Sequence, residues 1–377
     1  MDLQFIHPTQ IYSVRPCRNP DANDLVAIGG EHSVDVIQIL PDRCLRIASF
    51  HIGCRVTALA WSSRTVSPSS SENWILELTA AVADYGLHLL TKAASSTENV
   101  FSFGGGLSGH HGRINDMTFC GGWDEDSMRY LATVSDDKNL MVWDLQPGVD
   151  MNGDDPESAT RPSPSLSPTS DRPQPLAYAI TFAHPLTSIR SHPGTNKEFL
   201  VSDCFGSVFL TDWRADPEDS EDGVLRNSSI LELIEPESLA ASVTGGTKQW
   251  SASVDWRPDA IDIVGGVYNN RFVLWDISKL QGGVPTVNNV GAIESGGIFR
   301  WCPTYPEHFA ISNRNPTKGA VISVFNCNYI HAQPSVFNLH SRPLLVNDFD
   351  FLSTPGIPRI VAAVGKTLRV FLIGTEN

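Results

Sequence analysis

The chain has 377 residues, 41% of them hydrophobic, and its 27 basic against 42 acidic side chains give a formal net charge of −15. That is core material for one large domain or two ordinary ones, and the acidic balance excludes the basic footprint that direct nucleic-acid binding requires. Seven scattered cysteines (Cys17, Cys44, Cys54, Cys120, Cys204, Cys302, Cys327) without a C-x-x-C pair exclude a disulfide framework and a zinc site, and fit reduced thiols in a cytosolic or nuclear protein.

In chain order, "LQFIH" (3–7) reads as a strand standing ahead of a repeated unit. Each unit opens on an alternating run ending near an aromatic residue or Pro: "IYSVRP" (11–16), "VTALAWSS" (56–63), "INDMTF" (114–119), "LTSIRSHP" (186–193), "SASVDWRP" (251–258), "GGIFRWCP" (296–303) and "VNDFDFLS" (346–353). A second β-rich run follows in every unit, such as "RYLATVS" (129–135) and "DIVGGVY" (262–268). Third runs include "NLMVWDL" (139–145), "RFVLWDI" (271–277) and "TLRVFLI" (367–373). Fourth runs are weaker: "RIASFH" (46–51), "NVFSFG" (99–104), "LAYAITFA" (176–183), "SILELI" (229–234), "PTVNNV" (285–290) and "SVFNLH" (335–340). The seventh unit lacks one, and "LQFIH" is expected to supply it, closing a ring and leaving no long sheet edge. Helix is expected to be scarce.

Three stretches interrupt this pattern and are expected as flexible insertions: 64–73, 146–174 and 214–227. The second holds the Pro/Ser-rich "RPSPSLSPTSDRPQP" (161–175), which buries too little apolar surface to order itself. Residues 146–174 and 214–238 together carry nine of the fifteen excess negative charges, as solvated loops do. Ser67, Ser163 and Ser167 each precede Pro and are candidate sites for proline-directed kinases. The sequon at Asn227 is a chance match. The N-terminus has no signal-peptide pattern, and no apolar run reaches membrane-spanning length, so a soluble chain is expected.

The stretch from Gly109-His110 through "TVSDDK" to Trp143-Asp144 resembles a WD40 repeat, the four-stranded blade of a β-propeller. The resemblance implies an all-β, seven-bladed WD40 propeller as a single domain over 1–377. By position it also implies a hydrogen-bonded set of His110, Thr133, Asp137 and Trp143, with Ser135 as the alternative to Thr133. A buried indole N–H, hydroxyl and imidazole each cost roughly 1 to 3 kcal/mol if unpaired. Ser, His and Asp here are therefore read as a structural set and not as a hydrolytic triad, because a nucleophile must face a pocket.

Other apparent signals fail on context. "GGGLSG" (104–109) satisfies G-x-G-x-x-G, but no helix follows to receive a pyrophosphate, so it is read as a turn between blades. His110-His111 has no further ligands at metal spacing. No carboxylate pair sits where burial would tune it for acid catalysis. No catalytic residue, cofactor or metal is expected, and the chain is read as no enzyme.

The order and spacing of "LVAIGG", "FHIGCRVTALAWS", "GHHGRINDMTF", "TVSDDKNLMVWDL", "FRWCPTYPEHFAIS" and "HAQP" resemble one family in particular. It is the small WD-repeat nucleoporin, of roughly thirty-seven kilodaltons, of the Y-shaped nuclear pore scaffold. The insertions resemble those of a fungal-type member. The resemblance implies a non-enzymatic scaffold subunit at the nuclear envelope. Its implied partners are a large propeller-solenoid nucleoporin of the Y-complex short arm and other Y-complex subunits, supporting pore assembly and nucleocytoplasmic transport, mRNA transport included. No nucleic-acid contact and no membrane insertion are implied, and no interface residues carry over. A rival role is that of a cullin-RING substrate receptor: Thr211-Asp212-Trp213-Arg214 approximates a W-D-x-R ending, with Arg214 as the adaptor contact.

Overall fold

Val, Ile, Leu and aromatic side chains favour extended backbone because they pack well on a pleated surface. Gly, Asn and Asp between the runs turn the chain back on itself. The computed structural model describes residues 2–147, 172–214, 230–236, 240, 252–268, 270–279, 283–290 and 293–374. Over these, the runs form seven four-stranded antiparallel sheets.

The first strand, β1 (Leu3–Ile6), belongs to the last sheet. Blade 1 is β2 (Ser13–Pro16), β3 (Leu25–Gly29), β4 (Ser33–Ile39) and β5 (Cys44–His51). Blade 2 is β6 (Val56–Trp61), β7 (Ile75–Val82), β8 (Leu87–Ala93) and β9 (Asn99–Phe103). Blade 3 is β10 (Ile114–Phe119), β11 (Tyr130–Ser135), β12 (Asn139–Asp144) and β13 (Leu176–Thr181), with a short helix α1 (Glu125–Arg129) between its first two strands. Blade 4 is β14 (Leu186–Ser191), β15 (Glu198–Asp203), β16 (Val208–Asp212) and β17 (Ile230–Leu233). Blade 5 is β18 (Ala252–Trp256), β19 (Ile263–Tyr268), β20 (Arg271–Asp276) and β21 (Val287–Val290). Blade 6 is β22 (Gly296–Trp301), β23 (His308–Asn313), β24 (Ala320–Asn326) and β25 (Ser335–His340). Blade 7 is β26 (Val346–Phe351), β27 (Arg359–Val364) and β28 (Thr367–Leu372), completed by β1.

The first strands of the blades touch one another around the ring, β26 meeting β2, so the sheets close into a seven-bladed β-propeller. The closing strand pairs antiparallel with β28, from Leu3 opposite Val370 to Ile6 opposite Thr367. The His7 N–H then donates to the Lys366 carbonyl at 2.8 Å.

Apolar burial is divided among the seams. Seven separate clusters each join two neighbouring blades, including one between blades 7 and 1 built on Val14, Ile28, Val361 and Leu368. A sheet in this arrangement is covered on both faces, which explains strands such as "IVGGVY" (263–268) with no polar alternation. The inner strands of blades 2, 3, 4, 6 and 7 shift register near their start, at Val56/Ala58, Ile114/Asp116, Leu186/Ser188, Gly296/Phe299 and Val346/Asp348. Such bulges bend and twist a strand, here where it approaches the axis.

The expected insertions fare differently. Residues 64–73, expected as flexible, are instead tied down: Val66 and Ile75 exchange backbone bonds, Ser67 N–H donates to the Asp21 carbonyl, and Asn19 Nδ2 donates to the Thr65 carbonyl. Ser67 itself is fully buried and its hydroxyl accepts the Ser69 N–H, which closes this candidate phosphorylation site in the folded state. Most of 146–174, with Ser163 and Ser167, and all of 214–227 except Arg214 lie outside the described residues.

Candidate functional site

The expected polar set is assembled in blade 3. His110 lies in the loop before β10, Thr133 on β11, Asp137 in the turn after it and Trp143 on β12. His110 Nδ1 is 2.8 Å from Asp137 Oδ2, its Nε2 is 2.8 Å from Thr133 Oγ1, and Trp143 Nε1 donates to the same oxygen at 2.9 Å. A neutral ring donating from Nδ1 satisfies every partner: indole N–H to hydroxyl, hydroxyl to Nε2, Nδ1–H to carboxylate. Asp137 also accepts the N–H groups of His111 and Asn139. Ser135 takes no part in the set; its hydroxyl accepts the Asp137 N–H.

Burial sets the protonation. It pushes the His110 pKa down, against the pull of Asp137. Burial would raise Asp137, but His110 and the two N–H donors outweigh it and hold the carboxyl below its usual range. The preceding turn is built for this loop: a Cβ on Gly109 would lie 1.8 Å from the Gly104 carbonyl oxygen. Residues 104–109 therefore form a link between β9 and β10 with no helix after it, as the sequence context indicated.

A second His–Asp pair was missed in the sequence. His7, 1% exposed, directs Nε2 toward Asp35 Oδ2 at 3.6 Å while its Nδ1 accepts the Thr9 N–H. The available signal was "HP" at 7–8 and again at 184–185, each in the loop before a first strand.

Arg214 is occupied within the chain. Its Nη1 donates to Asp126 at 2.6 Å, and the guanidinium stacks 4.4 Å over Tyr130 and 4.7 Å over Trp213. An adaptor contact through this residue would have to displace those partners.

The axis carries the densest charge. Arg15, Ala60, Thr118, Arg190, Asp255, Arg300 and Asp350 occupy the same place near the end of successive first strands. From blade 4 round to blade 1 the signs therefore alternate. Arg190 Nε lies 3.7 Å from Asp255, Arg300 Nε 3.8 Å from Asp350 and Arg15 4.0 Å from Asp350. Blades 2 and 3 offer no charge at that level. Two residues earlier on β10, Asp116 bridges their gap, binding Arg15 at 2.9 Å and Arg190 at 2.8 Å. Burial would raise Asp116, but Arg190 and Arg15 hold it below the usual carboxylate range. Burial and the charges of Arg190 and Arg15 pull Arg300 down to about 10, against the attraction of Asp350.

This ring lies between two channel mouths. The one at the loops joining first to second strands is a cavity of about 440 Å3, with Trp61, Phe119, Trp123 and Trp256 in its wall. Trp123, Ile261, Tyr305 and Ile357 stand in loops of the same end and are between 36% and 74% exposed. The opposite mouth, of about 630 Å3, is polar. Among the described residues no group of three or more His, Cys, Asp or Glu is placed to hold a metal ion, and no helix is long and apolar enough to cross a membrane. All seven cysteines are unbridged.

What the fold defines is a seven-bladed β-propeller. No protein-family profile matches the chain, and no curated protein matches it.

Proposed function

We propose that this propeller is a non-enzymatic WD-repeat scaffold subunit of the nuclear pore outer ring, docking on a large propeller-solenoid nucleoporin of the Y complex. It acts at the nuclear envelope by supporting pore assembly and nucleocytoplasmic transport. The family rests on the order of the sequence segments from "LVAIGG" to "HAQP". The binding role rests on one observation: exposed Trp123 joins Trp61, Phe119 and Trp256 in the wall of an aromatic mouth at one end of the ring. Apolar side chains clustered on a surface mark contacts with other proteins. The imidazole, hydroxyl and carboxylate that resemble catalytic groups are bonded to one another inside blade 3, which supports a role without chemistry.

Affinity purification of a tagged chain should recover Y-complex nucleoporins, and imaging should give a nuclear rim. Trp123→Glu should lower that recovery at least about tenfold with the melting temperature unchanged, since hot-spot aromatics carry much of an interface. Recovery of a cullin adaptor with diffuse signal, abolished by Arg214→Ala, would replace this reading with the ubiquitin-ligase one.

A further inference from the structure

The polar mouth, framed by the loops that lead into the first strands, opens above the Arg–Asp ring with a volume of about 630 Å3. That is within the range of small-molecule sites. Its carboxylates are engaged: Asp116 by Arg15 and Arg190, Asp348 by the Val14 N–H, Asp136 by the Asn115 amide. Glu294, before β22 on the same end, is held by Lys318 and Asn315.

Two cations in the same wall are not engaged. Arg113 and Arg314 both line the cavity, and neither has a carboxylate at ion-pair distance among the described residues. The path of Arg314 is also prepared. A Cβ on Gly297 would lie 2.8 Å from Arg314 Cγ, 3.1 Å from its Nε and 2.9 Å from Ser312 Oγ. The φ of Gly297 is outside the left-handed region, so passage of these side chains, not backbone conformation, calls for glycine here. Thr57, 9% exposed and on the same wall, holds a hydroxyl with no partner.

Both guanidinium groups stand exposed at this mouth, open to a ligand, and the chain has acids to spare yet places none against these two. We propose that this mouth binds a small anion carrying at least two phosphate-type groups. Arg113 stands before β10 in blade 3 and Arg314 after β23 in blade 6, three blades apart in a ring of seven, so a lone carboxylate does not serve both. Guanidinium forks match phosphate oxygens in bidentate fashion.

Titration calorimetry of the whole chain with inositol hexakisphosphate and with pyrophosphate tests this, with sulfate at matched ionic strength beside them. Both polyphosphates should bind once per chain, more weakly as salt rises. Arg113→Ala and Arg314→Ala should each weaken binding about ten- to hundredfold, the range for a hydrogen bond to a charged group. Arg314→Gln should lose as much, and Gly297→Ala should weaken binding by displacing the arginine. Lys279→Ala, which removes an exposed cation at the other end, should change nothing, and melting curves verify that each variant is folded.

Absence of binding by either polyphosphate sinks the proposal. So does an equal loss in Lys279→Ala, which marks diffuse attraction, or equal binding of sulfate, which marks an adventitious ion only. Binding of a glutamate-rich peptide, where polyphosphates fail, would reassign the mouth to an acidic protein segment and equally overturn it.

Discussion

Blades 3 and 5 carry the same dipeptide at the end of the third strand, Trp143-Asp144 in β12 and Trp275-Asp276 in β20, yet bond it differently. Trp143 lies opposite Leu131 and Trp275 opposite Val264, so the two indoles share a register. Two residues along the second strand, blade 3 has Thr133 and blade 5 has Gly266. Without that hydroxyl, Trp275 Nε1 donates to the Gly283 carbonyl at 3.1 Å, and its ring packs edge-on against Tyr268. A Cβ on Gly266 would approach Trp275 Cζ3 to 3.4 Å, so the indole fills the space. The acids diverge too: Asp144 takes two bonds from Arg129, while Asp276 faces exposed Ser278 and Lys279. Blade 5 places its buried charge elsewhere, in the Glu235–Arg271 pair at 3.3 Å. The dipeptide alone does not define the bond set; the residue across the strand does.

The largest expected effect is in blade 5. Glu235→Ala should cost about 3 to 5 kcal/mol in urea unfolding, because it breaks a buried ion pair. A loss no greater than that of a surface substitution would mean that the pair does not anchor the blade. Next, Thr133→Val should cost roughly 1 to 3 kcal/mol for each of the two buried partners it leaves, the indole and the imidazole. Trp143→Phe and Trp275→Phe lose the same ring volume, so the larger loss is expected in blade 3, where the buried Thr133 hydroxyl loses its indole donor while the Gly283 carbonyl keeps the Ile234 N–H; equal losses would erase the distinction between the blades.

The acids give a smaller contrast. Asp144→Ala should cost about 1 kcal/mol, a partly screened bidentate pair being worth no more, and Asp276→Ala should leave the melting temperature where it was. Acid should act through the histidines. Burial holds His88, His110 and His192 below the usual imidazole value of about 6.5. The unfolded chain therefore takes up protons that the folded chain resists, so this stability is complete above about pH 6.5 and declines as pH falls below it. Melting temperatures followed from about pH 7.5 down to about 5.5 should decrease, and less steeply in His110→Asn.

The ring and its closure were legible in the sequence because each unit repeats a short alternating run, and because the seventh unit has one strand too few while "LQFIH" has no unit of its own. Blade 3 was legible in atomic detail since every member of its set is present. Blade 7's junction with blade 1 was not: His7–Asp35 lacks both the Gly-His and the Trp-Asp that frame such a pair. The axial ring was written plainly in "SVRP", "SIRS", "SVDW", "IFRW" and "FDF", but only alignment of the inner strands by register brings Arg15, Arg190, Asp255, Arg300 and Asp350 to one level. Pattern alone also suggested that 64–73 is loose, because Ser-rich composition says nothing of the backbone partners Asp21 and Ile75 that hold it.

The pairing of β1 with β28 has a consequence for synthesis. The segment at 3–6 is made more than three hundred residues before its sheet neighbour at 367–370. Loop-closure entropy over that span opposes the contact until blades 1 to 6 have already drawn the ends together. During translation the nascent chain thus holds an unpaired strand and an unsealed seam, a window in which chaperones or a neighbouring nascent chain can intervene.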